Sequence, residues 1–492
     1  MLFNSLEFLI FFPVVAVIYY LIPDKIKYIW LLAASYYFYM QWNPVYVFLL
    51  LTSTVVTYTG ALILERTVNA RSRKICLFLG LFINLFILGY FKYASFIMLY
   101  LGKVLSVIGI NIAPFEKDIL LPVGISFFTL QALGYLIDVY RKDIYAERNF
   151  LKYALFISFF PQLVAGPIER SKNLLKQLSE PHRFSFDNLR EGILIMLYGF
   201  FLKVVIADRV AVIVDAVYNE PVGRPGFYII LATILFSLQI YCDFYGYSTI
   251  AKGAALTIGV RLMDNFNAPY YSKSIKEFWR RWHISLSTWF RDYLYIPLGG
   301  NRKGRIRKYI NIIIVFAVSG LWHGASVSFI VWGLLHGLYQ VIEDIVSSVR
   351  SFIRTKRKLP ESSVLFSDKL VKLAVTLFLT AFAWLFFRAG SMSSARMLLE
   401  GIVSDLNWTV LFNKSIYRLG VSEDYFHVLL VSVALLAFID RLKYKGINVT
   451  AAFFRQRWWF RALAEAALLL FIILFGCYGS AYDVQQFIYF QF

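Results

Sequence analysis

The sequence is short of charge, of histidine and of cysteine. Asp, Glu, Lys and Arg make up 16% of its 492 residues, where a water-soluble domain carries about 25%. Hydrophobic residues reach 59% and mean hydropathy is +0.63. A soluble globular enzyme is thereby excluded, and the chain reads as an integral membrane protein. Its three cysteines, Cys76, Cys242 and Cys477, are scattered and odd in number. They build no disulfide framework and lack metal-ligand spacing, so they read as packing residues. Internal repeats and low-complexity tracts are missing too. The longest polar interval, about 350–368, is only a loop, which excludes a separate soluble domain.

What is there is basic and aromatic. The net charge is +20 and aromatics make up 18%. Nucleic-acid binding does not follow from that charge, because Lys and Arg lie mostly in short loops between apolar runs, the positive-inside pattern of a polytopic helical protein. Basic clusters at 66–74, 141–152, 170–176, 302–308, 350–358 and 441–445 mark cytoplasmic loops. They cannot all be cytoplasmic if every intervening run crosses once, so re-entrant segments are expected. Long apolar runs extend from 8–21 to 462–477, with 28–39 and 153–164 too short to cross alone. The expectation is an all-α polytopic protein of roughly ten to twelve transmembrane helices with re-entrant and amphipathic pieces. The first run lacks a basic leader and a small-residue cleavage site and is expected to be a retained membrane segment.

Histidine is scarce, with five in the chain. His283 (FWRRWHISLSTW) and His323 (SGLWHGAS) each follow a Trp, in or beside apolar segments. A titratable side chain in a bilayer is costly and is a functional hypothesis by default. Small residues flank His323 (Gly320, Gly324, Ala325, Ser326) and permit close backbone approach or a helix break lining a cavity. His283 lies in the stretch 271–301, where Trp279, Trp282, Leu286 and Trp289 or Phe290 share one face and Lys276, Arg280, Arg281 and Arg291 lie elsewhere. The spacing predicts an amphipathic helix with His283 at the border of its aromatic and basic faces, either lining a cavity or lying in the interface with snorkelling Arg. A neutral imidazole can take a hydroxyl proton while that oxygen attacks an electrophile. A second can orient the first, hold the acceptor or polarise an acyl carbonyl. The competing readings are two satisfied core histidines, a proton relay in a transporter, and a zinc site with His336 as third ligand. The last is disfavoured because HExxH, a carboxylate cluster and a Cys pair are all missing; no metal is expected. His336 (VWGLLHGLYQ) reads as packing or support, and His182 and His427 carry no signal.

The run FWRRWHISLSTWFRDYLYIPLGGNRKG, followed by LWHGAS and WGLLHG, resembles the membrane-bound O-acyltransferase family. LPVGISFFTLQALGYLIDVYR (121–141), FFPQLVAGPIER (159–170) and DFYGYSTIAKGAALTIGVRL (243–262) look like its bacterial polysaccharide branch. Within that branch the chain is most similar to the membrane subunit of alginate O-acetylation, with teichoic acid D-alanyl transfer the nearest relative outside. The resemblance covers most of the chain. It implies a single acyltransferase domain over 1–492, core motifs at about 119–340, additional C-terminal helices over 370–492, and a central tunnel. It further implies His323 as the catalytic residue and His283 as the second polar residue of the site. The ending QFIYFQF reads as an interfacial aromatic anchor. It also resembles a C-terminal Tyr motif proposed to receive the acyl group in D-alanylation, which would make Tyr489 an acyl acceptor in cis. Trp322, Trp282, Asp243, Gln131 and Arg291 are candidate tunnel-lining residues, or buried structural partners.

The expected function is transfer of an acetyl group from a cytoplasmic thioester, with acetyl-CoA as donor and no bound cofactor. The transfer crosses a bacterial inner membrane toward O-acetylation of an exported, alginate-like polysaccharide. An extracytoplasmic acetyltransferase partner is expected to finish the sugar transfer. The alternatives are D-alanyl transfer to teichoic acid, and a non-enzymatic transporter with a His relay.

Overall fold

The computed structural model describes residues 1–110, 121–164, 166–356 and 365–478. Every regular element among them is helical. Among the described residues, seven helices are long and apolar enough to cross a membrane: Pro44–Arg66, Ala70–Val107, Gly226–Thr257, Val327–Ile353, Phe366–Ala389, Glu423–Tyr444 and Trp458–Phe475. Leu6–Leu21 and Ile125–Tyr140 are apolar but shorter.

Local features set how the apolar runs divide among these helices. The runs 75–90 and 95–110 form one helix, Ala70–Val107, because the polar interval between them holds no helix breaker. The run 153–164 divides at Phe159 and Pro161 into Phe150–Ser158 and Phe160–Leu163. The run 192–217 is interrupted by a π-helical turn at Phe201–Ala207. The run 28–39 becomes the 14-residue helix Lys27–Met40, about 21 Å long and shorter than the hydrocarbon core.

The chain forms two compact units that interleave in sequence. Among the described residues, one comprises Met1–Gly199 and Tyr247–Met263; the other comprises Phe200–Gly246 and those from Asp264 onward. In the first unit Ile125–Tyr140 is buried almost all round, while Ala70–Val107 turns Phe78, Phe82 and Phe86 outward. Of the 18 residues of Trp458–Phe475 in the second unit, only Ile472 is buried. Such exposed apolar faces would be aggregation sites in water; against lipid they are solvated.

The second unit holds what matters for chemistry. Helices Arg305–His323 and Val327–Lys356 form an antiparallel hairpin. A Cβ on Gly320 would lie 2.3 Å from the Phe329 carbonyl oxygen, and one on Gly333 would lie 2.2 Å from that of Phe316. These glycines let two backbones touch, the small-residue device of membrane helix pairs. Deep in the same unit Lys203 pairs with Asp208 and Asp243, each at 2.7 Å, with Lys203 1% exposed. Charges buried this far are costly unless paired, and these pair with one another.

Candidate active site

The polypeptide around His283 is not the continuous helix its spacing predicts. Ser274 starts a short helix, Ile275–Arg281, by accepting the Glu277 N–H (3.0 Å), and Glu277 returns a bond by accepting the Lys273 N–H (2.9 Å). The Ser274 hydroxyl thereby satisfies one free donor of the first turn, and the Glu277 carboxylate ties down the residue before the cap. The helix stops at Trp282. His283 takes a left-handed conformation (φ 42°, ψ 55°) and begins a second short helix, Ile284–Phe290. A π-helical turn, Arg291–Tyr295, follows. The break is braced from upstream. Asn265 accepts the Ile284 N–H through its carbonyl (2.9 Å) and the Ser285 hydroxyl through Oδ1 (2.6 Å), and the Asn267 N–H donates to the Arg281 carbonyl (3.0 Å). The kink aims a fully buried imidazole inward. Left-handed geometry is uncommon outside glycine and clusters where function over-determines the backbone.

His323 is the last residue of Arg305–His323 and is 3% exposed. Gly324 follows in an extended conformation, where a Cβ would meet the Phe329 ring at 2.2 Å. Trp322 stands between the two histidines, its ring 6.0 Å from His283 and 4.9 Å from His323. Phe244 meets His283 edge-on at 4.6 Å, and Trp332 and Phe387 meet His323 at 5.0 and 5.3 Å. Trp282 packs on Trp384 (5.1 Å), which stacks on Trp332 (5.5 Å). The histidines therefore occupy an aromatic, low-dielectric chamber in which polar interactions are strong.

A cavity of about 760 Å³ opens beside this cluster. Trp279, Phe316 and Ser319 line it, with Ser319 one helical turn before His323, and Lys276, Arg280, Arg291 and Lys308 give it a cationic wall. Glu343 and Asp344 line it too, Glu343 accepting the Lys276 N–H (3.2 Å) and Asp344 held by Lys308 (2.6 Å) and the Tyr309 hydroxyl (3.0 Å).

Of the residues singled out by sequence, His283, His323, Trp282 and Trp322 come together here. Arg291 lines the cavity and pairs with Asp292 at 2.8 Å. Asp243 is bound to Lys203, next in sequence to the Phe244 that abuts His283. Gln131 belongs to the other unit, where it donates to the Phe156 carbonyl (2.7 Å) and accepts from Gln162 (2.6 Å). Tyr489 lies outside the described residues. Sequence reasoning passed over Trp332 and did not join Trp279 to His336. The Trp279 indole N–H donates to His336 Nδ1 (3.2 Å), and Trp332 stands between His323 and His336, 5.0 and 5.2 Å from them. The available signal was the i, i+4 spacing of Trp332 and His336, which puts both on one helix face. Among the described residues no three His, Cys, Asp or Glu side chains gather to hold a metal ion.

Comparison with known proteins agrees with this picture. The profile described as "MBOAT, membrane-bound O-acyltransferase family" matches residues 80–384. The "Probable alginate O-acetylase AlgI" of Pseudomonas aeruginosa is 40% identical over 415 residues, 83% of this chain and 76% of that one. The peptidoglycan O-acetyltransferase of Helicobacter pylori is 36% identical over 402 residues, 76% of this chain and 73% of that one. The teichoic acid D-alanyltransferase of Bacillus subtilis is 31% identical over 231 residues, 44% and 57% of the two chains. With a buried histidine pair set in an all-helical membrane protein and a family match across most of its length, the chain belongs to the membrane-bound O-acyltransferase family.

Proposed function

We propose that this O-acyltransferase moves an acetyl group from a cytoplasmic thioester, acetyl-CoA, through a tunnel to the outer side of a bacterial inner membrane. There an extracytoplasmic acetyltransferase partner places it on an exported, alginate-like polysaccharide. The whole chain acts as one acyltransferase domain. The observation that carries the reading is Trp322 sharing its ring between His283 and His323 in a buried chamber. His323 takes the proton of the accepting hydroxyl as that oxygen attacks the thioester carbonyl. The C–S bond then breaks, and the thiolate leaves with the proton His323 received. Water exclusion keeps the thioester from hydrolysis. His283 holds the accepting group against His323. The cationic wall of the 760 Å³ cavity suits the phosphates of a nucleotide-bearing thioester.

The test is transfer from labelled acetyl-CoA by purified protein in detergent. Wild-type protein should cleave the thioester, and His323→Ala should not. An intact thioester with wild-type protein overturns the reading and favours a transporter. Turnover only with a D-alanyl-loaded carrier would move the reaction to D-alanylation.

A further inference from the structure

His336 sits at the centre of the aromatic cluster, fully buried, with Phe278 stacked at 6.2 Å and Phe316 at 6.3 Å. Its protonation is fixed by geometry. The Trp279 indole can only donate, so His336 Nδ1, 3.2 Å away, must accept. The ring is then neutral and its proton is on Nε2. In this tautomer His336 cannot be a base at Nδ1, which is occupied, or at Nε2, which is protonated. It can only offer an N–H. That Nε2–H has no hydrogen-bond partner among the described residues, and neither has the indole N–H of Trp332, which is also fully buried. Buried donors without acceptors are rare and costly in folded proteins, and they call for a specific reason. Here two lie on one helix face, four residues apart, their rings 5.2 Å from each other and Trp332 5.0 Å from His323.

We propose that His336 Nε2–H and Trp332 Nε1–H are the catalytic donors for the acyl carbonyl oxygen, an oxyanion site next to the base. The inference rests on the acyl-transfer reading. When the acceptor oxygen adds to the thioester carbon, the C=O π pair moves onto oxygen, and that oxygen accepts hydrogen bonds from these two N–H groups. The pair returns as the C–S bond breaks, and the thiolate takes the proton held by His323. Trp279 is a positioning residue: its N–H locks His336 in the donating tautomer, and its ring is also a wall of the cavity by which the donor approaches.

The experiment measures kcat and KM for labelled acetyl-CoA with full-length protein in detergent. His336→Phe removes the donor and keeps the ring; His336→Gln keeps an amide N–H at a similar reach. His336→Phe should lower kcat about 10²–10³-fold with little change in KM, the signature of a lost transition-state donor. His336→Gln should recover most of that loss, and Trp332→Phe should lower kcat at least about tenfold, again with KM kept. A kcat for His336→Phe within threefold of wild type, or His336→Gln as slow as His336→Phe, overturns the proposal. Should the Phe variant not fold, Trp332→Phe and His336→Gln decide: wild-type kcat for Trp332→Phe, or loss of activity in a folded His336→Gln, overturns it. The underlying acyl-transfer reading fails separately, if wild-type protein turns over no thioester.

Discussion

At the scale of single residues the informative tension is at His283, which joins a strained backbone to a reactive side chain. A non-glycine residue in the left-handed region costs about 1–3 kcal/mol, and here the cost is met by the bonds that Asn265 makes on either side of Ile284 and Ser285. Strain and chemistry can be separated. His283→Asn keeps a residue that tolerates positive φ but removes the imidazole. Its melting temperature should stay near that of wild type, while acetyl transfer falls by about 10²-fold or more. His283→Val, β-branched at positive φ, should lose stability as well. Thermal melts and turnover on the same preparations check both. His283 and His323 were legible in the sequence because an ionisable group among apolar residues is conspicuous. The left-handed turn was not, because its brace comes from Asn265 and Asn267, some twenty residues upstream. The contact of His336 with Trp279, 57 positions away, was not legible, because no local pattern records that bond.

At the scale of elements, the helical fold class followed from composition and long apolar runs, while the number of spans did not. Apolar runs cannot report a π-helical turn at Phe201–Ala207 or the fusion of two runs into Ala70–Val107, because both depend on how the helix continues through the polar residues between. The amphipathic pattern over 271–301 was read correctly as helical and wrongly as unbroken. The hairpin Arg305–His323 with Val327–Lys356 carries His323, Trp332 and His336 together, so its closeness sets the geometry of the chamber. Gly333→Ala pushes a methyl into the Phe316 carbonyl. It should cost about 1–3 kcal/mol through overpacking and displace His336 along with the helix. Turnover should therefore fall further than the melting temperature alone would suggest, which parallel melts and initial rates can compare.

At the scale of the whole molecule, two groupings of charge can be tested. Lys203 holds two buried carboxylates. Lys203→Met removes the cation between them and should destabilise the protein by about 3–5 kcal/mol, whereas Lys203→Arg should retain part of the stability. Denaturation in detergent reads the difference. The cationic cavity wall makes a kinetic prediction. The paired reversal Lys276→Glu with Arg280→Glu should raise KM for acetyl-CoA at least about tenfold with kcat little changed. The wild-type KM should rise with salt, and the variant's should respond much less. Five of the eleven tryptophans, Trp279, Trp282, Trp322, Trp332 and Trp384, belong to one connected set of ring contacts around the histidines. The enzyme is thus equipped with its own optical probe. Almost half of the indole emitters stand around the two histidines, and the arrival of an acyl group there should be visible as a change in tryptophan emission without any label.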